Sequence, residues 1–329
     1  MLTDAQSYHA LNSALSANYE ALKKLWEKHG SWHRAWEAEK RQYPAPKNDS
    51  ELADCELILR QDPAYPAILK EISWPPLGIY VRGQLPEKPA IAIIGTRRAT
   101  ANGKAIAKKL AQELSRQNVI IISGLAMGID TAAHEGALEA GGRTIAVLPA
   151  GLNRIYPAQN GQLAEKILDS GGALISEYPN GHPSYASNFV HRNRIVSGLS
   201  AAVVVVEAPE KSGALITARF ALEQNREVMA VPGPANHPNY AGSHQLIRDG
   251  AKLVTSAKEI LDELNWAYAE VSSLAVNGKI SDEEKIILDA IKSAGSAAAI
   301  DKISEITKIG IPKVNQIITI LTLKGIIKE

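Results

Sequence analysis

Between residues 90 and 231, short runs of β-branched and small apolar residues alternate with segments whose apolar residues recur at helical spacing. The apolar runs predict strands at 90–94, 119–123, 144–148, 173–176, 201–206 and 228–231. The segments after them predict helices near 103–116, 130–140, 159–168, 215–224 and 256–264. A strand that is apolar throughout must be covered on both faces, and alternation with helices supplies that cover. The predicted fold class is α/β, a doubly wound parallel sheet.

The flanks read differently. Residues 1 to about 70 look helical: Leu22, Leu25, Trp26 and Trp36 fall at helical spacing, with Gly30 as a break. Pro44 and Pro46 begin a linker-like stretch, and a shorter helix is expected around 51–60. Residues 271–279 form a second expected linker. Three helices follow at 283–292, 299–307 and 312–323, and the short turn 308–310 suits a helix-turn-helix or winged helix. The predicted domains are therefore residues 1–70 (helical), 71–268 (α/β) and 279–329 (winged-helix-like).

Composition narrows the class. At 329 residues, 45% hydrophobic and 22% charged, the chain suits a soluble protein of two or three domains. No apolar run nears the roughly 20 residues that span a bilayer. The opening MLTDAQSYHALNS lacks a basic stretch before an apolar one, so no signal peptide is expected. One cysteine, Cys55, rules out an internal disulfide and points to the cytoplasm. The formal net charge is only +1. Basic residues are concentrated locally, however: residues 91–120 hold Arg97, Arg98, Lys104, Lys108, Lys109 and Arg116 against one acid, Glu113. That pattern fits either a solvated helix face or a phosphate-binding surface.

Ligands of doubly wound sheets bind beyond the carboxyl ends of the strands. Gly95-Thr96-Arg97-Arg98 follows the first strand and leads into a helix, a setting for an anion. It is neither G-x-G-x-x-G nor a P-loop, so no nucleotide cofactor is expected. Ser123-Gly124 to Gly128 follows the second strand as a phosphate nest. Asp130 beyond it is either a first-turn helix acid or an anchor for Arg97 or a ligand hydroxyl. Phe189 either stacks on a base or sits in the core, beside Arg192 and Asn193 as phosphate or base-edge contacts. Arg192 and Arg194 stand two apart at the expected start of a helix. Arg192 is expected to face outward, and Arg194 to be buried in an ion pair with Glu207. Glu207 itself, at a strand end, is a carboxylate base or an arginine clamp. Lys211-Ser212-Gly213 forms another small-residue turn into a helix. The eight histidines show no metal-ligand spacing, so no metal is expected.

Taken together, these loops resemble the DprA/Smf family of DNA-processing proteins. The resemblance runs from about residue 61 to 264. It is carried by Asp62-Pro63-x-Tyr65-Pro66, Gly95-Thr96-Arg97, residues 123–130, Tyr156-Pro157, Ser176-Glu177-Tyr178-Pro179, Arg192-Asn193-Arg194-Ile195, Gly198-Leu199-Ser200, residues 212–217, Val231-Pro232-Gly233 and Leu246-Ile247-x-x-Gly250-Ala251. It implies an extended Rossmann-like domain that forms a homodimer, binds and protects single-stranded DNA during natural transformation, and loads the recombinase RecA without catalysing a reaction. It further implies DNA contact at Arg97, Ser123, Gly124, Gly128, Phe189, Arg192 and Asn193. The chain departs from the family pattern where Asn188 replaces a frequent lysine before Phe189, where His244 follows Gly242-Ser243, and where little chain remains for a wing after Gly325. The competing reading is a nucleotide-phosphate-binding enzyme, a phosphoribohydrolase of the lysine-decarboxylase-like group. Its P-G-G-x-G-T signature is absent, because Pro232-Gly233 is followed by Pro234-Ala235.

Overall fold

The computed structural model describes residues 2–43, 52, 54–85, 88–268, 282–294 and 300–323. They fall into two compact units, Met1–Tyr268 and Ala269–Glu329. The first opens with helices α1 (Asp4–Ala14), α2 (Tyr19–His29) and α3 (Trp32–Glu39). A capping box starts α1, with Gln6 N donating to Thr3 Oγ1 at 3.2 Å and Thr3 N donating to Gln6 Oε1 at 2.9 Å. Gly30, at φ +66°, ends α2 in the left-handed conformation.

Strand β1 (Glu56–Leu59), the short helix α4 (Ala67–Lys70) and strand β2 (Gly78–Gly83) come next. The helix expected at 51–60 is thus corrected to a strand. Glu56–Leu59 pairs antiparallel with β2, and its side chains serve two cores, Ile58 facing one and Leu59 the other. That alternation has the period of a strand. The predicted strands then appear in order: β3 (Ala90–Ile94), β4 (Ile120–Ser123), β5 (Thr144–Val147), β6 (Ala173–Ser176), β7 (Ala202–Val205) and β8 (Glu227–Ala230), followed by a short β9 (Lys252–Leu253). The helices between and after them are α5 (Ala101–Arg116), α6 (Ile129–Glu139), α7 (Gly161–Asp169), α8 (Ala186–Gly198), α9 (Gly213–Glu223), α10 (Ala241–Arg248) and α11 (Ala257–Glu263).

The nine strands form one sheet in the order β1-β2-β6-β5-β4-β3-β7-β8-β9. From β6 to β9 it is parallel, while β2 runs antiparallel to both β1 and β6. The period of two is visible along β3. Ala92 and Ile94 pack on one face with Ile195 and Val196 of α8 and Ala214 and Ala218 of α9. Ile91 and Ile93 pack on the other with Leu110 and Leu114 of α5, Ile129 and Ala133 of α6, and Ile260 of α11. The doubly wound, Rossmann-like fold class is as expected. The N-terminal helices lie against the antiparallel edge. Trp32 and Leu11 share a core with Leu59 and Leu77. His9 Nδ1 lies 3.0 Å from the Tyr80 hydroxyl, to which Asn12 Nδ2 donates at 3.2 Å.

The second unit contains α12 (Asp282–Ala294), α13 (Ile300–Thr307) and α14 (Ile311–Leu323), which bury Ile287, Ile303, Val314 and Leu321 together. The turn between α13 and α14 is as short as expected. The expected linkers at 44–46 and 271–279 and the segment for a wing, 324–329, lie outside the described residues. No described helix is long and apolar enough to cross a membrane.

Helices α5 and α6 cross at Gly136, where a Cβ would stand 2.3 Å from the Lys108 carbonyl oxygen. The Lys108 Cα would lie 2.9 Å away as well, and both are main-chain atoms, so the methyl of Gly136→Ala has to push the helices apart. Overpacking of this kind costs about 1–3 kcal/mol. The Tm of Gly136→Ala is expected to fall by a few degrees; an unchanged thermal melt would show that the crossing yields freely.

Candidate nucleic-acid interface

Strands β3 and β7 are neighbours in the sheet, but the chain proceeds from them in opposite directions. The crevice above that switch point is where the fold places ligands. Here it is an open cavity of about 410 Å³. Its walls bring together Gly95, Thr96, Arg97, Gly124, Asp130 and Phe189 with Arg192, Asn193, Lys211, Ser212 and Gly213. Four predicted residues, Ser123, Gly128, Arg194 and Glu207, do not line it. Ser123 is fully buried and donates to the Ile93 carbonyl at 2.7 Å. Gly128 and Glu207 lie behind the walls.

The glycines have a different use from the one expected. A Cβ on Gly95 would meet Ile129 Cγ1 at 2.5 Å and the Glu207 carbonyl oxygen at 2.8 Å. Gly128, at φ +87°, would place one 2.4 Å from the Thr96 carbonyl oxygen. These positions let the loops lie against each other rather than against a ligand. The same loops are tied by Thr96 N donating to Glu207 O at 2.7 Å. Only Gly213 among the wall glycines has open space around it, at the start of α9 where Ser212 caps the Ala214 amide.

Arg192 is corrected from outward-facing to buried, at 4% exposure. Helix α8 begins at Ala186, earlier than expected, so Arg192 stands one turn before Ile195 and Val196 and two before Leu199 on the face turned to the sheet. Its Nη1 donates to the carbonyls of Gly124 (2.6 Å) and Val147 (2.5 Å), and its Nε to Asn193 Oδ1 (3.1 Å). Burial pushes the guanidinium down to about 10, against the pull of the Asp130 carboxylate, so it remains charged at neutral pH. Asp130 in turn accepts from the amides of Gly124 (3.1 Å) and Ala126 (3.3 Å). Burial raises its carboxyl above the ordinary range, opposed by Arg192 and those amides. Asp130 therefore holds the loop after β4 and does not anchor Arg97.

Arg194 is buried as expected, at 1% exposure, but its partner is Glu177 and not Glu207. Nη1 and Nη2 donate to the two Glu177 carboxylate oxygens at 2.9 and 2.7 Å. Nε reaches the Trp74 carbonyl at 2.9 Å, and the guanidinium lies 4.2 Å from the Trp74 ring centre. Glu207 is also fully buried, and it clamps a turn instead. It accepts from Thr100 N (3.0 Å), Thr100 Oγ1 (2.5 Å) and Asn239 Nδ2 (3.1 Å). Burial opposes its ionisation, but the Thr100 and Asn239 hydrogen bonds outweigh it and hold the carboxyl below its ordinary value. Thr100 Oγ1 also caps α5 at Gly103 N, 2.9 Å away.

What remains exposed at the mouth is cationic and aromatic. Arg97, Arg98 and Lys211 are exposed, and none forms an ion pair among the described residues. The Arg97 guanidinium lies 4.8 Å from the centre of the half-buried Phe189 ring. Phe189 meets Tyr156 edge-on at 5.4 Å. Tyr156 is 44% exposed and Val190 37%. Sequence reasoning named neither as a site residue, although Tyr156-Pro157 was among the resembling motifs.

A model of the family described as DNA recombination-mediator protein A matches residues 56–265. The chain belongs to this family, the DprA/Smf proteins. It is 42% identical over 231 residues to Protein Smf of Escherichia coli, an alignment covering 70% of this chain and 62% of that protein. It is 45% identical over 212 residues to the DNA processing protein DprA of Bacillus subtilis, covering 63% and 71%. The chain spans 62% and 54% of the Smf proteins of E. coli and Synechocystis. Among solved structures, DprA from Streptococcus pneumoniae superposes with a TM-score of 0.71 at 33% identity, covering 80% of this chain and 98% of that one. A Helicobacter pylori DprA, described for its single-stranded DNA binding mode, gives 0.55 at 31% identity, covering 61% and 92%.

The two arginines of α8 make this DprA/Smf member's stability testable. Removing one partner of a buried pair costs about 3–5 kcal/mol, so Arg194→Ala and Glu177→Ala should each lower the Tm by several degrees, with losses that do not add. Arg194→Ala and Glu207→Ala should add, because the residues share no contact. Additivity in the first pair or strong coupling in the second, read from melting curves, would reverse the assignment. Glu207 also predicts a pH dependence. A depressed carboxyl stabilises the fold above its unfolded value, near 4.5, and the contribution is lost as pH falls through the folded value. The stability gap between the native chain and Glu207→Gln should therefore shrink in urea melts below pH 4.5. A constant gap is the contrary result.

Proposed function

We propose that this chain binds single-stranded DNA in the crevice between β3 and β7, without catalysing a reaction on it. The observation that carries this reading is Arg97 lying over Phe189 at the mouth of the crevice, 4.8 Å from ring to guanidinium. One side chain meets phosphate and the other offers a face to a base, the pairing by which single strands are gripped without sequence readout. Arg98, Lys211 and the capped start of α9 extend the anion-binding rim. Arg192 and Asn193 act from the wall, and Gly95, Thr96, Gly124 and Gly128 shape it. Ser123, from its buried position, supports the strand end. The Helicobacter pylori neighbour's described single-stranded DNA binding supports the same reading.

The wider reading follows the family. Residues 71–268 carry the DNA, 1–70 add accessory helices and the edge strand β1, and 279–329 a winged-helix-like module. The chain acts in the cytoplasm as a homodimer, protects incoming strands and loads RecA onto them. RecA loading is tested by the lag before RecA begins DNA-dependent ATP hydrolysis. The lag should shorten when this protein is added, and an unchanged lag removes RecA from the reading.

The DNA step is tested by anisotropy titrations of labelled oligonucleotides at several salt concentrations. Single strands should bind more tightly than duplexes of equal length, because a duplex hides the base faces that Phe189 and Tyr156 offer. Arg97→Ala should weaken binding and reduce the magnitude of the salt slope by about 0.7, the share of one phosphate contact on a single strand. Phe189→Ala should cost about 1–3 kcal/mol in affinity and leave the slope alone. Equal or tighter duplex binding, or an unchanged slope in a folded Arg97→Ala protein, would defeat the proposal.

A further inference from the structure

A second opening of about 540 Å³ lies on the far side of α8. Phe189, Arg192, Asn193 and Val196 line the crevice, whereas Ser187, Asn188 and His191 line this cleft. At 100° per residue those sets occupy nearly opposite faces of the helix. The cleft wall is dense in aromatic rings. Tyr178 and His182 stack at 4.7 Å with 12° between planes, and Tyr185 meets His182 edge-on at 5.7 Å. Trp74 joins Tyr19 at 5.4 Å and His191 at 5.0 Å.

Among the described residues Trp74 Nε1, a buried donor in this wall, has no hydrogen-bond partner. Among the described residues no lysine or arginine lines the cleft, while Glu20 and Glu177 do, the latter already paired with Arg194. Burial holds His182 and His191 below the usual histidine range, so they add no charge at neutral pH. The cleft therefore offers no free cation to a phosphate but suits a neutral planar group with hydrogen-bonding edges. Between the two openings stands the start of α8, where no side chain caps the amides and Tyr185 is 57% exposed. A strand crossing there need clear only one helix diameter, about 10–12 Å.

We propose that this cleft is a second base subsite: the single strand held at the crevice crosses the start of α8, and a nucleobase farther along stacks on the Tyr185 and Trp74 wall. The proposal rests on the crevice being a single-stranded DNA site. It extends the footprint to residues outside the glycine loops and gives the helical layer of residues 4–39 a part in the cleft, through Tyr19.

The test uses the full chain and oligothymidylates of increasing length. Affinity should step upward once an oligonucleotide spans both openings. Tyr185→Ala should remove that step, weakening long oligonucleotides about fivefold or more while leaving the shortest binders unchanged. Tyr185→Phe keeps the ring and should restore the step. Photocrosslinking with 5-iodouracil in the longer oligonucleotides should tag Trp74 or Tyr185 as well as the crevice. A step that survives Tyr185→Ala, or crosslinks confined to Tyr156 and Phe189, would overturn the proposal and leave the cleft, with Glu20 and Glu177, to a cationic partner. Those results differ from failure of the crevice reading itself, in which oligonucleotides of every length bind without dependence on Arg97.

Discussion

Arg192 carries a positive charge into the interior, and the architecture around the crevice follows from accommodating it. A guanidinium pushed to about 10 still holds its proton at neutral pH, so burial demands acceptors instead of neutralisation. They come from the ends of two adjacent strands, through Gly124 and Val147, and from Asp130 on α6. Helix α8 is thereby fastened across the carboxyl edge of the sheet. Phe189 and Asn193, a turn before it and one residue after it, are delivered to the crevice by that fastening. Gly124 is constrained by it as well, since a Cβ there would lie 2.5 Å from the Arg192 guanidinium.

The other buried charges are settled by the same local logic. Arg194 is answered by Glu177, one strand end away, and Glu207 by Thr100 and Asn239. Each group finds partners in the loops that surround it, which offsets a desolvation cost that no long-range attraction could meet. Because the buried ions are matched internally, the field at the crevice is set by the exposed Arg97, Arg98 and Lys211. A net charge of +1 over 329 residues is thus compatible with a cationic mouth.

The parallel part of the sheet was legible because its strands are apolar on both faces, and β3 to β8 lie within a residue or two of the expected runs. The antiparallel edge was not. Glu56–Leu59 is short and has no β-branched residue apart from Ile58, and only its pairing with β2 makes it a strand. The residues around the crevice were legible as a set, from the loops that follow each strand. Their roles were harder to read. The sequence pointed Arg194 to Glu207, whereas the choice of Glu177 depends on which edge of the sheet α8 crosses. The burial of Arg192 did leave a signal, its spacing of three, four and seven from Ile195, Val196 and Leu199. Tyr156 left less, because an aromatic before a proline in a loop has no period to place it.

The glycines explain how the crevice can be open and still rigid. Gly95, Gly103 and Gly128 each stand where a Cβ would strike a neighbouring loop or the Glu207 carboxylate. Their use is to bring the loops after β3, β4 and β7 into contact, where Thr96 N reaches Glu207 O and Ile129 N reaches Thr96 O. Loops joined in this way have little conformational freedom left to lose, so the entropy cost of ordering a ligand site is met in folding and not in binding. What the ligand meets is then the fixed residue of that packing: one open glycine at the start of α9, three unpaired cations and an aromatic edge. Cations and an aromatic face held in fixed positions suit a polyanion that carries planar rings.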